Sequence, residues 1–437
     1  MLTTVDFMPM HRVFGCSVVL KTDNLESHKD SFVKNLSMFF MKLSRQLLIP
    51  DSTIELIAQE MLNINSLNQL YIKESVSRKL VCDGMAKDTI DSMHKALDES
   101  DLLDTCLKDS GILSGVRQRS NVAKKNFLYV EPRSIFVDFD SKNQSRFCQY
   151  IPVKESISIL LQDPSVLRQC TDSVSAQLCP TDLVGLKNFT DGLVYRNCIA
   201  QEQGEKILSL ILYQDSFELV NPLGSAKKKQ KMLAVYFVLG NLKLYNRSRI
   251  DHTQLVLLVR ETDADCIGLR IFKPLVDDLK VLEDEGIDVS GERWLVRVVA
   301  IAGDNLGSHW LGGFTTNFSS SQHICRFCTL TRSDFDRGCI SAAPDQFRTP
   351  DKYSMAVSKV SPDVSLVNGI KQQSIFNELK YFHVCAPGLP PCAAHDLFEE
   401  IVVFDIPLFL EHFVKLKLFS VQQQNKRIQH LQLSGSD

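Results

Sequence analysis

Three acidic residues stand at the ends of strongly apolar stretches, where charge needs a reason. Asp215 lies near the close of "LILYQDSF" and Asp304 near the close of "VAIAGDNL". The third candidate comes from "PGLPPCAAHDLFEEIVVF", where two prolines precede a helical start and Glu399 and Glu400 follow. A carboxylate ending a buried strand is costly unless it is paired or binds a cation. Adjacent strands lie about 5 Å apart, so Asp215 and Asp304 on neighbouring strands would share one divalent ion. Mg²⁺ (or Mn²⁺) is a hard ion that takes oxygen ligands. The alternative is a pair of strand-end acids facing solvent. A second chemistry is offered by Cys325 and Cys328 in "HICRFCTLTRSDF". A CxxC is half of a tetrahedral zinc site, and His323, Cys339, His383, Cys385, Cys392 and His395 are available to complete it. Two reduced thiols are the other reading; a redox CxxC lacks its strand-to-helix context. Lys227, Lys228, Lys229 and Lys231 make a basic turn, read as a solvated hairpin tip, a phosphate contact or a weak nuclear localisation signal.

The elements that must position these residues follow from periodicity. "KILSLILYQDSFELV", "MLAVYFVLGNL" and "DHTQLVLLVRE" read as three apolar strands. "IFKPLVDDLKVLEDEGI" is an amphipathic helix with Leu275, Leu279 and Leu282 on one face, ending at Gly286. "RWLVRVVAIAGD" is a fourth strand. Three strands, a helix and a strand suit an antiparallel meander whose fourth strand returns beside the first. That order is α/β with a ribonuclease H-like mixed sheet, and it makes the strands of Asp215 and Asp304 neighbours. Upstream, residues 1–110 read as a helical domain, with Phe32, Leu36, Phe39, Leu43 and Leu47 at helical spacing. Pro50 stops that helix, and Ser52 to Glu55 form a capping box for the next. Separate helices are expected through "NQLYIKESVSRKLV" and "AKDTIDSMHKALDESDLLD". Residues 111–200 are a mixed connecting segment with a strand pair in "NFLYVEPRSIFVDF", and 201–437 form the last domain, with an insertion at about 315–380.

Several functions are excluded. GxGxxG, GxxxxGK[ST], GxSxG and HExxH do not occur, which removes kinases, P-loop ATPases, serine hydrolases and zincins. A net charge of −3 gives no global signal for nucleic acid. The N-terminal residues lack a basic region followed by an apolar one, and the apolar runs are too short to span a bilayer, so neither secretion nor membrane insertion is expected. Thirteen cysteines without a dense framework are expected to be mostly reduced thiols in an intracellular protein.

Taken together, "YQDSFELVNPLGS", "AIAGDNLGSHWLGGF", "HICRFCTLTRSDF" and "YFHVCAPGLPPCAAHDLFEEIV" resemble the DDE transposases of the CACTA-related (CMC-type) group found in animal genomes. The resemblance covers roughly 180–415. In that group the first acid precedes an "NP" element, as Asp215 precedes Asn221–Pro222; the second precedes a Gly-rich run, as Asp304 does; a CxxC and an "HDLxEG" element follow. The resemblance implies that Asp215, Asp304 and Glu399 hold two Mg²⁺ ions, and that the reaction is DNA nicking followed by strand transfer. Transposon ends and target DNA would be the partners, with homo-oligomers if active, a nuclear location and a structural Zn²⁺ at Cys325 and Cys328. Three departures are visible. Glu400 replaces the Gly of "HDLxEG", the helical remainder after it is short, and no recognisable DNA-binding module precedes the acids. A catalytically inactive, domesticated derivative serving as a DNA- or protein-interaction module, and a stand-alone metal-dependent nuclease, are the other readings. His395 and Asp396 are candidate orienting groups or helix caps, and Trp310 reads as packing.

Overall fold

The computed structural model describes residues 25–47, 49–139, 142–178, 187–199, 204–218, 231–339, 341–386 and 388–430. Asn221, Pro222, Lys227, Lys228 and Lys229 lie outside the described residues. The chain divides into two compact units, one within residues 10–129 and the other within 130–437.

The first unit is helical: α1 (Leu25–Met41), α2 (Asp51–Cys82), α3 (Lys87–Glu99), α4 (Leu102–Leu107) and α5 (Val116–Asn126). Val33, Leu36, Phe40 and Leu43 pack against Ile54, Ala58, Leu62, Leu107 and Leu113. The buried stripe is thus rotated from the expected one, and Phe39 and Leu47 face water. The two helices expected within 52–81 are one helix of 32 residues, because no Gly or Pro interrupts that stretch. The capping box does not form: α2 begins behind Pro50 with no side-chain cap. Glu55 pairs instead with the buried Arg119, so a tertiary ion pair takes the carboxylate that local chemistry would have used.

The second unit is mixed α/β, built on a seven-stranded sheet in the order β1-β2-β5-β4-β3-β7-β6. Its strands are β1 (Arg133–Phe139), β2 (Ser145–Tyr150), β3 (Ile207–Glu218), β4 (Lys231–Leu239), β5 (Gln254–Arg260), β6 (Ile287–Val289) and β7 (Glu292–Ala302). β3, β4 and β5 run as an antiparallel meander. β7 returns parallel to β3 on its free side, reached through α9 (Glu261–Ile267) and α10 (Lys273–Asp284), which follow α8 (Leu244–Arg247). Leu275, Leu279 and Leu282 of α10 are buried as their spacing requires. Gly286 ends the helix at φ +70°, and a Cβ there would stand 2.4 Å from the Trp294 carbonyl oxygen. The pairing of β3 with β7 contains one irregularity: Leu210 faces Val298 but Ile211 faces Ala300, so Val299 is skipped.

The stretch 111–200 divides differently from the expectation. β1 pairs with β2 rather than within "NFLYVEPRSIFVDF", and β2 joins the sheet through β5. With α6 (Val153–Leu160) and α7 (Pro164–Leu178) it belongs to the sheet unit. Cys148, Ile157, Leu160 and Cys170 enter the same core as Leu208, Leu210, Leu212, Val296 and Val298.

Beyond β7 come α11 (Asn305–Leu311), α12 (Arg332–Asp336) and α13 (Pro350–Val357), joined by irregular chain. Tyr353 anchors this region: its hydroxyl donates to the Gly312 carbonyl at 2.8 Å and accepts the Ser374 N–H at 3.0 Å. A π-helical segment, Ala393–Ile401, leads into α14 (Val402–Lys415) and α15 (Val421–His430). No helix among the described residues is long and apolar enough to cross a membrane.

Candidate functional site

Every inward side chain of β3 from Ile207 to Leu212 is driven into the core by the hydrophobic effect, which fixes what its C-terminal end presents. The last paired residues are Tyr213 and Ala302. Asp215 follows two residues after Tyr213 within β3, and Asp304 two residues after Ala302, just past the end of β7. Both line one cleft of ≈ 320 Å³, together with Lys231, Glu261, Asp265 and Trp310.

Asp304 also answers the question of its cost. It is the N-cap of α11, and its Oδ1 accepts the Gly307 N–H at 2.6 Å. A helix start offers unpaired amides and a favourable dipole to a carboxylate. Gly307 must lack a side chain, since a Cβ would lie 2.3 Å from Gln214 Oε1 and 2.8 Å from Asp304 Oδ1. Asp215 is held similarly, with Oδ1 accepting the Ser216 N–H at 2.7 Å. The Tyr213 hydroxyl lies 3.5 Å from its Oδ2. Burial, with Asp215 adding, pushes that phenol up to about 12, so it keeps its proton. The fit to a hard cation rests on the donor set. Asp215 and Asp304 present oxygens only, and the neighbouring Gln214 Oε1 is buried without a hydrogen-bond partner. Among the described residues, no three His, Cys, Asp or Glu side chains converge closely enough to hold a metal ion.

Glu399 is exposed, on the segment Ala393–Ile401 and outside the lining of the cleft. The start of that segment nevertheless lies beside the acids. His395 is held above its ordinary range by its hydrogen bond to Cys392, with the charges of Cys392, Glu399 and Asp304 adding. One imidazole therefore feels both Asp304 and Glu399. Cys392 Sγ is 3.1 Å from His395 Nδ1. Burial pushes that thiol up, but the N–H groups of His395 and Ala394 and the imidazole outweigh it and hold it low. Asp396 serves as a cap, its Oδ2 accepting the Cys392 N–H at 2.9 Å.

Cys325 and Cys328 lie together. Burial raises the Cys328 thiol, and the bond to Cys325 adds. Three of the proposed completing ligands have a donor atom engaged elsewhere. His383 Nδ1 accepts the Cys385 N–H, His395 pairs with Cys392, and Cys339 donates to the Ser341 carbonyl. As placed, the CxxC supplies two ligands of four. The residue between them carries more of the geometry. Arg326, 6% exposed, donates to Asn305 Oδ1 at 2.6 Å, to the Leu389 and Pro390 carbonyls, and lies 3.7 Å from Asp396. It ties the residue after Asp304 to the approach of the Glu399 segment. Sequence reading passed over it; a lone arginine inside a CxxC was the available signal. Glu261 and Asp265 were also missed, because they sit on a short helix with no distinguishing pattern. Lys231 stands at the rim of the cleft, paired with Glu261 at 3.6 Å. Trp310 packs edge-on against Phe272 at 5.5 Å while also lining the cleft.

No protein-family model matches this chain, and no curated protein matches it.

Proposed function

We propose that the sheet unit is a ribonuclease H-like domain of the CACTA-related DDE transposase type, and that its cleft performs metal-dependent DNA strand cleavage and strand transfer. The observation that carries the reading is the placement of Asp215 and Asp304 in the lining of one cleft, the first near the end of β3 and the second just past the end of the adjacent parallel β7. The meander with its parallel return supports it, as do the four ordered sequence motifs. Asp215 and Asp304 would hold Mg²⁺ or Mn²⁺, with Glu399 as the third acid of the resemblance. When bound, the cation supplies Lewis-acid activation of water or a DNA 3′-hydroxyl and neutralises charge on the leaving oxygen.

The chain's own residues do the positioning. The Gly307 and Ser216 amides each fix one carboxylate oxygen and leave the other for the cation. Tyr213, protonated, donates toward Asp215 and cannot compete for the metal as a phenolate. Arg326 holds the CxxC loop against Asn305, the residue that follows Asp304 at the start of α11. DNA as partner and a nuclear location go with this reading, as does a structural zinc on Cys325 and Cys328.

A second reading, a catalytically silent derivative kept for interaction, is favoured by the exposure of Glu399 outside the lining of the cleft. The experiment is calorimetric Mg²⁺ and Mn²⁺ titration with a supercoiled-plasmid nicking assay, on the wild type, Asp215→Asn and Asp304→Asn. Binding and nicking that both vanish in the variants support the first reading, and a joined-strand product separates transposase from nuclease. A folded wild type that binds neither ion sinks it in favour of the second.

A further inference from the structure

A second cleft of ≈ 320 Å³ lies in the region between residues 323 and 368. Arg348, Lys352, Lys359 and His323 line it, and no Asp or Glu does. Arg348 is 8% exposed. Its Nε donates to the Cys325 carbonyl at 3.0 Å and its Nη2 to the Asn368 carbonyl at 2.6 Å. The guanidinium lies 5.2 Å from the Phe314 ring centre.

What distinguishes Arg348 is its missing counter-charge. Three other arginines are comparably buried, and each has a carboxylate: Arg119 has Glu55, Arg297 has Glu205 at 2.6 Å, and Arg326 has Asp396 at 3.7 Å. Arg348 has none among the described residues. The ionisable groups that reach it are the thiols of Cys385, Cys325 and Cys328 and the Tyr353 phenol. A buried cation without an anion is expensive, and carbonyl dipoles compensate only in part. The rim repeats the pattern. Among the described residues Lys359 has no ion pair, and Lys352 donates to the Asp345 and Phe347 carbonyls. His323 commits Nδ1 to the Thr329 carbonyl at 2.9 Å.

We infer that this cleft is a binding site for a phosphate group, with Arg348 at its floor and Lys352 and Lys359 at its rim. A planar guanidinium presents paired N–H donors that match two oxygens of one phosphate, and the lysines add mobile point charges. The site is coupled to the acids through one loop, because Arg348 holds Cys325 from one side while Arg326 binds Asn305 from the other. The phosphate source is either a nucleic-acid backbone, which rests on the function proposed above, or the free ion.

The test uses the full chain with no Mg²⁺ or Mn²⁺ added, so that the acid cleft is silent. Inorganic phosphate and a short labelled DNA duplex are titrated against the wild type, Arg348→Lys and the doubly substituted Lys352→Ala/Lys359→Ala, which changes only exposed residues. Phosphate should stabilise the wild type thermally, and both variants should bind it several-fold more weakly. If DNA is the source, the double variant should also weaken duplex binding and lower the salt slope by about two. Weakened phosphate binding with unchanged DNA binding assigns the site to the free ion. Unchanged binding of both ligands in the double variant overturns the inference. That outcome is distinct from failure of the catalytic reading, which is scored by Asp304→Asn in the nicking assay with metal present.

Discussion

Asp215 and Asp304 leave strands whose core-facing side chains are almost wholly excluded from water, with Leu208, Leu210, Leu212 and Val298 at 0% exposure. Glu399 stands on a segment that leads into α14, which has no buried side chain although it is rich in Leu, Phe and Val. Phe404, Leu408 and Phe409 of that helix are 74%, 61% and 58% exposed. The contrast separates two ways of carrying a carboxylate. A packed sheet fixes its strand ends to within a fraction of an ångström, because close-packed interiors allow few alternatives. A helix held mainly by its first turn fixes little beyond that turn, and here the first turn is what Arg326, Asp396 and Cys392 secure.

The comparison is broken first by activity. If the sheet-borne acids make the site, Asp215→Asn and Asp304→Asn each lower nicking by roughly a thousandfold without loss of fold. Glu399→Gln lowers it by roughly tenfold or less, since an exposed charge contributes little. An equal loss in all three would mean that the Glu399 segment closes on the cleft when DNA is bound. Stability gives the next contrast. Leu212→Ala should cost about 3 kcal/mol in urea denaturation, whereas Phe409→Ser should stay within about 0.5 kcal/mol. A large effect of the second substitution would show that α14 is covered in solution.

A smaller effect sharpens the comparison through pH. Burial holds His383 at about 4, below its ordinary 6.5. Its Nδ1 accepts the Cys385 N–H, so protonation there breaks that bond. Between pH 6.5 and 4 the unfolded chain binds the extra proton and the folded one does not. Stability is therefore full above pH 6.5 and declines by about 2 kcal/mol as pH falls toward 4. His383→Asn should flatten that slope, and an unchanged slope would assign it to other groups. The smallest expected effect is chemical. Cys392, paired with His395 at a helix start, should react with iodoacetamide a few-fold faster than the exposed Cys82 and Cys266, with iodide leaving. His395→Asn should erase the difference; mass mapping of the labelled cysteines reads it.

Much of the sheet could be read from the residues alone. β3, β4, β5 and β7 are near-continuous apolar runs, and burial on both faces leaves little choice of element. The hairpin of β1 and β2 was misplaced because Phe136, Phe139 and Phe147 are exposed aromatics and give no clean alternation. The pair Asp215 and Asp304 was legible because each closes such a run. Glu399 was legible only through the resemblance, since one face of its segment carries no buried pattern to orient it. Arg326 offered only its place inside the CxxC, and Arg348 offered no signal. The partners of Arg348 are backbone carbonyls distant in sequence, and no residue type advertises a carbonyl that a fold will leave waiting.

The skipped Val299 in the pairing of β3 with β7 has a consequence for the two acids beyond it. Side chains alternate faces at every residue. Were Val299 paired rather than skipped, Asp215 would stand opposite Gly303, and Asp304 would lie about 3.3 Å further along and turned to the other face. The irregularity, in the middle of β7 and several residues from either acid, thus decides which residue past the end of that strand comes level with Asp215.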